Sequence, residues 1–158
     1  ASTVPTTAEQ NMANHASEHL QSTIMKVFAN IEKGNLKEAM SLSTESLRIF
    51  NHEIGGQKRL TDLIEYKKLH AQLHFLRAQL FYLQHHNVEA VAELKRAVGY
   101  YQEYTPALNL LAHIYINHLE DLHQAKEYLL LSNTEKEGQL FVDFNRALEA
   151  DAQEDLHE

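Results

Sequence analysis

Three alanines, Ala78, Ala112 and Ala147, stand 34 and 35 residues apart, each in a similar helical context: HFLRAQLFYL, NLLAHIYI and FNRALEA. A second alanine follows the first two after 12 and 13 residues, Ala90 and Ala125, and leads into VEAVAELKRAV and LHQAKEYLLLS. No other feature constrains the fold as strongly. A small residue recurring where two helices cross lets their backbones approach closely, and larger apolar residues fill the space around it. A fixed period of this length marks an internal repeat.

The rest of the chain agrees with helices alone. Proline occurs only at Pro5 and Pro106, the five glycines fall at or near breaks and helix ends, and strand-type alternation of β-branched residues is missing. At 158 residues, 44% apolar and 23% charged, the chain has the size and composition of one folded soluble domain. A net charge of -8 argues against a nucleic-acid partner, since phosphate neutralisation needs an excess of lysine and arginine. No apolar run approaches the roughly 18 residues of a membrane span. Without cysteine there is no disulfide, thiolate nucleophile or Cys-ligated zinc. The compartment is not written in the sequence; the cytoplasm is slightly favoured, and a periplasmic or secreted setting fits if a leader has been removed.

The alanine pattern and its neighbours resemble the tetratricopeptide repeat, a 34-residue helix–turn–helix unit. A unit beginning at Ala71 places Ala78, Ala90 and Ala97 on the family's small positions and Phe81 and Leu94 on its large ones. A unit beginning at Thr105 does the same with Leu108, Leu111, Ala112 and Tyr115. One extra residue in the turn NHLEDLH then brings Ala125, Leu129 and Ser132 into line. Thr105–Pro106 is read as an N-cap followed by proline at the first helical position. A weaker copy, KGNLKEAMSLSTESL at 33–47, carries Ala39 at the crossing; the helix before it fits only in a shifted register, with Phe28 where a small residue is usual. About 17 additional residues, with Gly55–Gly56 and LTDLIEYKKLH, then lengthen the two facing helices. His74, Arg77 and Gln102 depart from the family pattern. The resemblance covers roughly residues 20 to 150 and implies an all-α, right-handed repeat solenoid of about three units.

The remaining segments complete this organisation. Residues 1–14 read as a flexible lead-in, 15–150 as the repeat domain and 151–158 as an acidic tail. A last helix with Leu140, Phe141, Phe144, Ala147 and Leu148, opened by a capping box at Thr134-x-x-Glu137, is expected to close the stack. It is also expected to cover the surplus of Leu129–Leu130–Leu131.

Histidine is abundant: eleven residues, whose protonation would move the formal charge from -8 to +3. His15-x-x-Glu18-His19 matches the H-x-x-E-H pattern of one zinc-peptidase class, but no distant third ligand or substrate cleft is evident, and a solvated helix face explains it. His70 and His74 form an i, i+4 pair; His74 falls between the two helices of a unit and is read as a core histidine satisfied by a neighbour, or as one partly exposed, before a metal ligand. His85, His86, His118 and His123 fall in or beside the inter-helix turns, where stacking aligns them along one edge that could bind a metal weakly. There is no glycine-rich phosphate loop and no G-x-S-x-G elbow.

What the resemblance implies for function lies on the first helices of the units, which line a concave face. Carried over position by position, that face comprises Gln72, Phe75, Gln79, Tyr82 and Leu83, then Pro106, Asn109, His113, Ile116 and Asn117. Aromatic and aliphatic anchors exclude water while amides pair with the donors and acceptors of a peptide backbone. The expectation is a non-enzymatic protein-interaction module, without cofactor or metal, whose partner is a peptide or helical segment. Neither helix places lysine or arginine at these positions, which disfavours the capture of a C-terminal carboxylate seen in some family members. A small acidic chaperone or assembly subunit with an obligate partner is the alternative, and a histidine-based metal or pH sensor ranks below it.

Overall fold

The computed structural model describes residues 4–132 and 139–157, with side chains described for 4–132, 142–151 and Gln153. Among these residues the chain is all-α, with eight α-helices and one π-helical turn and no strand. The Thr134–Glu137 capping box lies outside the described residues, as do the side chains of Leu140 and Phe141.

Helix α1 spans Thr7–Glu32 and so begins inside the stretch whose composition reads as a lead-in. A reciprocal cap explains the early start. The Thr6 hydroxyl accepts the Glu9 N–H at 3.1 Å, and the Glu9 carboxylate accepts the Thr6 N–H at 3.3 Å. Ala13, Ala16, Leu20, Ile24 and Val27 then recur at helical spacing and are buried. Gly34, at φ +79°, turns the chain into α2, Leu36–Phe50, a backbone conformation that a side chain at this position would strain. The additional residues lengthen the facing helices only in part, because LTDLIEYKKLH is interrupted at Asp62–Leu63. Helix α2 continues into a π-helical turn, Asn51–Gly55, and a short α3, Lys58–Thr61, leads to α4, Ile64–Leu83.

Helix α5 spans Asn87–Tyr100, α6 Thr105–Asn117, α7 Leu122–Ser132 and α8 Gln139–His157. The last of these runs on through the acidic stretch. Thr105 is not the N-cap that the sequence implied. It is the first helical residue, and its hydroxyl donates back to the Glu103 carbonyl at 3.3 Å, while Pro106 still occupies the first turn. Packing follows chain order: α1 lies on α2, α4 on α5 and α6 on α7. Between these pairs α2 meets α4 and α5 meets α6, and α8 rests on α6 and α7.

Helix α4 belongs to two cores at once. Leu69, Leu73, Leu76 and Leu80 pack with α1, α2 and α3, whereas Ala71 and Ala78 pack with α5, α6 and α7. Its apolar residues therefore surround the axis more than an ordinary surface helix would need. Ala78, Ala90, Ala97, Ala112 and Ala125 are all fully buried. Enlarging one of them forces its helices apart. We expect Ala78→Leu to cost about 1.5 kcal/mol, measured as a lower urea midpoint at unchanged slope; an unchanged midpoint would remove the close-crossing role.

The surplus leucines of α7 are not covered. Leu129 is buried, but Leu130 and Leu131 are 68% and 62% exposed. Successive residues of a helix lie 100° apart, so α8 can cover α7 without reaching all three.

Candidate functional site

The middle of α4 presents Gln72, Phe75 and Gln79 as half-buried side chains in line, with Tyr82 one turn on and Leu83 exposed at the end. The 3.6-residue repeat produces this line, because residues three and four apart share a helix face. Its two flanks meet different neighbours. On one side Gln72 lines a groove of about 280 Å³ with Asn14, Ser17 and Gln21 of α1 and with Glu65, Lys68 and Leu69 of α4 itself. On the other, Phe75 meets the edge of Tyr104, ring centroids 5.7 Å apart, at the entry to α6.

Helix α1 was missed as a wall of this groove. Asn14, Gln21 and Phe28 lie seven residues apart and thus on one stripe, beside the buried Ala13–Leu20–Val27 stripe. That periodicity is legible in the sequence. Phe28 had instead been aligned with a crossing position; it is 45% exposed, and Ile24 and Val27 occupy the buried face beside it.

Tyr82 joins the end of α4 to the end of α6. Its hydroxyl lies 2.9 Å from His113 Nε2 and 3.2 Å from His118 Nε2. Asn117 Nδ2 donates to the His113 carbonyl at 3.1 Å and lies 3.2 Å from His113 Nδ1. Burial, with His118 nearby, pushes His113 below the ordinary histidine range, against the opposing field of Asp143 from α8. Asn109 is half-buried, Asn117 exposed, and Pro106 exposed at the start of α6. Ile116 goes elsewhere. It is 6% exposed and lines a cleft with Leu122, Ala147 and Ala150, facing α8 rather than the open face.

Behind the α4 wall is a buried charge cluster. Glu93 of α5 accepts from His74 Nδ1 at 2.7 Å, Arg77 Nη1 at 3.1 Å and Arg96 Nη1 at 2.7 Å, with its own side chain 3% exposed. Burial alone would raise the Glu93 carboxyl. The His74 hydrogen bond and the positive charges of His74, Arg77 and Arg96 outweigh it and hold the group below the ordinary carboxylate range. His74 and Arg77, two of the departures from the repeat pattern, are the two α4 residues that reach Glu93. As the sequence implied for His74, a neighbour satisfies it.

His70, one turn earlier, is stacked between Phe50 (centroids 4.4 Å apart) and Tyr100 (3.6 Å). Burial, and then the neighbouring His74, push it down to about 4. The stack borders a cleft of about 500 Å³ shared with Tyr66, Lys67 and the π-helical turn. A cleft of about 620 Å³ lies on the far flank of α1, where His15 and His19 face Glu45, Arg48 and Glu53.

The turn histidines do not form a row of ligands. His85 is exposed at φ +63°, His86 lies beside Phe81, and His123 lies 3.4 Å from Glu127. Only His118 of the four turns to another histidine. Among the described residues no three or more His, Cys, Asp or Glu side chains are grouped so as to hold a metal ion. Nor is any helix among them long and apolar enough to cross a membrane. No protein-family model matches this chain, and no curated protein sequence matches it.

Proposed function

We propose that this chain is a non-enzymatic protein-interaction module of the tetratricopeptide kind. Its helix pairs would stack as a short solenoid, and the stripe on α4 would bind a segment of another protein. One observation carries the reading. Half-buried amides and aromatic rings, Gln72, Phe75, Gln79 and Tyr82, form a line in which α1 amides meet one flank and α6 the other. Such a surface supplies both donors and acceptors to a backbone and few charges that would demand a particular side chain. The chain-order packing of the helix pairs and the fully buried crossing alanines support the repeat reading.

Phe75 and Tyr82 are the anchors. Aromatic side chains that are partly desolvated and set among polar groups dominate binding energy when a partner covers them. Phe75→Ala with Tyr82→Ala is expected to abolish capture of partner proteins, by more than about tenfold in affinity, with the helical circular dichroism unchanged. Undiminished capture by the double variant would reject this surface.

Exposed Leu130 and Leu131 favour a second reading, an assembly subunit kept with one obligate partner that covers α7. Co-expression separates the two, because an obligate partner co-purifies in stoichiometric amount whereas an adaptor is stable alone.

A further inference from the structure

The cleft of about 500 Å³ beside His70 differs in charge from those at His15, Ala147 and Gln72. Carboxylates line each of the other three. Here none does, and the charge on the lining is that of Lys67. Its ammonium makes no ion pair or hydrogen bond among the described residues, whereas the adjacent Lys68 lies over the Tyr101 ring, 5.5 Å from its centroid. In a chain of net charge -8, an unpaired lysine on a cleft free of acids is a place for an anion.

The floor of the cleft is aromatic. Phe50 and Tyr100 cover the faces of His70, so the imidazole presents its edge, and Tyr100 is 44% exposed. His70 stands three residues after Lys67, on the same face of α4. It is neutral at pH 7, because burial lowers it to about 4, and one of its ring nitrogens then carries a proton. Among the described residues no protein group hydrogen-bonds either nitrogen. The π-helical turn, a geometry that recurs at functional sites, supplies Asn51 and Gly55 to another wall. At Gly99 the cleft reaches the backbone, and a methyl group added there would meet no atom within 4 Å beyond its own turn of helix. The volume falls within the roughly 300–1,000 Å³ of small-molecule sites.

We propose that this cleft binds a small planar aromatic carboxylate, with its ring against Tyr100 and its anion between the Lys67 ammonium and the His70 N–H. Stacking on an exposed tyrosine favours a flat ring over an aliphatic body. One lysine matches the single charge of a carboxylate; a phosphate ester carries about two and would call for more cations. A divalent metal ion would need carboxylates that this lining lacks. The cleft shares no residue with the stripe of Gln72, Phe75, Gln79 and Tyr82, and the site is therefore independent of the proposed partner binding.

Cinnamate is the probe, with cinnamyl alcohol as its uncharged counterpart, followed through amide and imidazole NMR shifts at pH 7. Cinnamate should shift His70 and residues 51–55 saturably, with a Kd of about 1 mM or tighter, and the alcohol should bind at least about fivefold more weakly. Lys67→Gln should weaken cinnamate to the level of the alcohol. Gly99→Leu fills the cleft at a helical position where leucine outranks glycine, so it should abolish binding without lowering the melting temperature. The proposal is overturned by the absence of saturable shifts up to about 10 mM, or by shifts confined to other parts of the surface. Equal binding of the alcohol, or undiminished affinity in either variant, overturns it too.

Discussion

Glu93→Ala is expected to destabilise the protein by about 2 kcal/mol, the loss of charge-assisted hydrogen bonds to a buried carboxylate whose arginine partners keep contact with water. In a chain of this length that is a fall in melting temperature of about 6 °C. The carboxylate is shared by three donors from two helices, His74 and Arg77 of α4 and Arg96 of α5. Its loss therefore strikes the packing that holds the α4 stripe in place. Glu93→Gln, which keeps the volume but opposes an amide N–H to one of these donors, should lose less than Ala and more than a surface change. Thermal unfolding at pH 7 decides: a loss under about 1 kcal/mol for Glu93→Ala would reduce the cluster to an ordinary surface ion pair. The sign with pH follows from the depressed carboxyl. Its contribution is present above the unfolded value of 4.5 and is lost as pH falls through the lower folded value.

At milder acidity His70 is expected to dominate. Its folded pKa of about 4 lies below the ordinary 6.5, so the unfolded chain takes up a proton that the folded stack refuses. Stability from this residue is whole above pH 6.5 and declines as pH falls from 6.5 towards 4. Allowing for partial solvent screening, the loss by the lower end is about 2 kcal/mol. The depressed His113 acts in the same direction and begins in the same region. His70→Phe removes the titration and keeps an aromatic ring between Phe50 and Tyr100. Its urea midpoint should therefore vary less between pH 7 and 4.5 than that of the wild type, and an equal decline in both proteins would clear His70 of the effect. Since the Glu93 contribution is lost only below 4.5, the two residues separate along the pH axis.

How much of this was legible beforehand can be judged residue by residue. Ala78, Ala90, Ala112 and Ala125 announced the helix crossings, because a crossing excludes large residues whatever the remainder of the fold does. The α4 stripe was equally visible as a helical period. The α1 wall was visible too, in the spacing of Asn14, Ser17 and Gln21 along one face, but the repeat alignment began beyond them. Thr105 was misplaced by one residue because threonine–proline suits either side of a helix start. The exposure of Leu130 and Leu131 depended on where α8 lay, and no local pattern states that.

The sequence by itself determined that the chain is helical, where its helices turn, and which small residues sit at their crossings. Each follows from volume and period within a few turns of one helix. Only the tertiary structure decided that His74 and Arg77 share Glu93, 19 and 16 residues away, and that Tyr82 meets His113 across 31 residues. It also turned Ile116 to α8 and away from the open face. Polar contacts of that range depend on the rotation and register of one helix against another. A shift of about 1.5 Å, one residue's rise, would have given these side chains other partners while leaving every apolar period in the sequence unchanged.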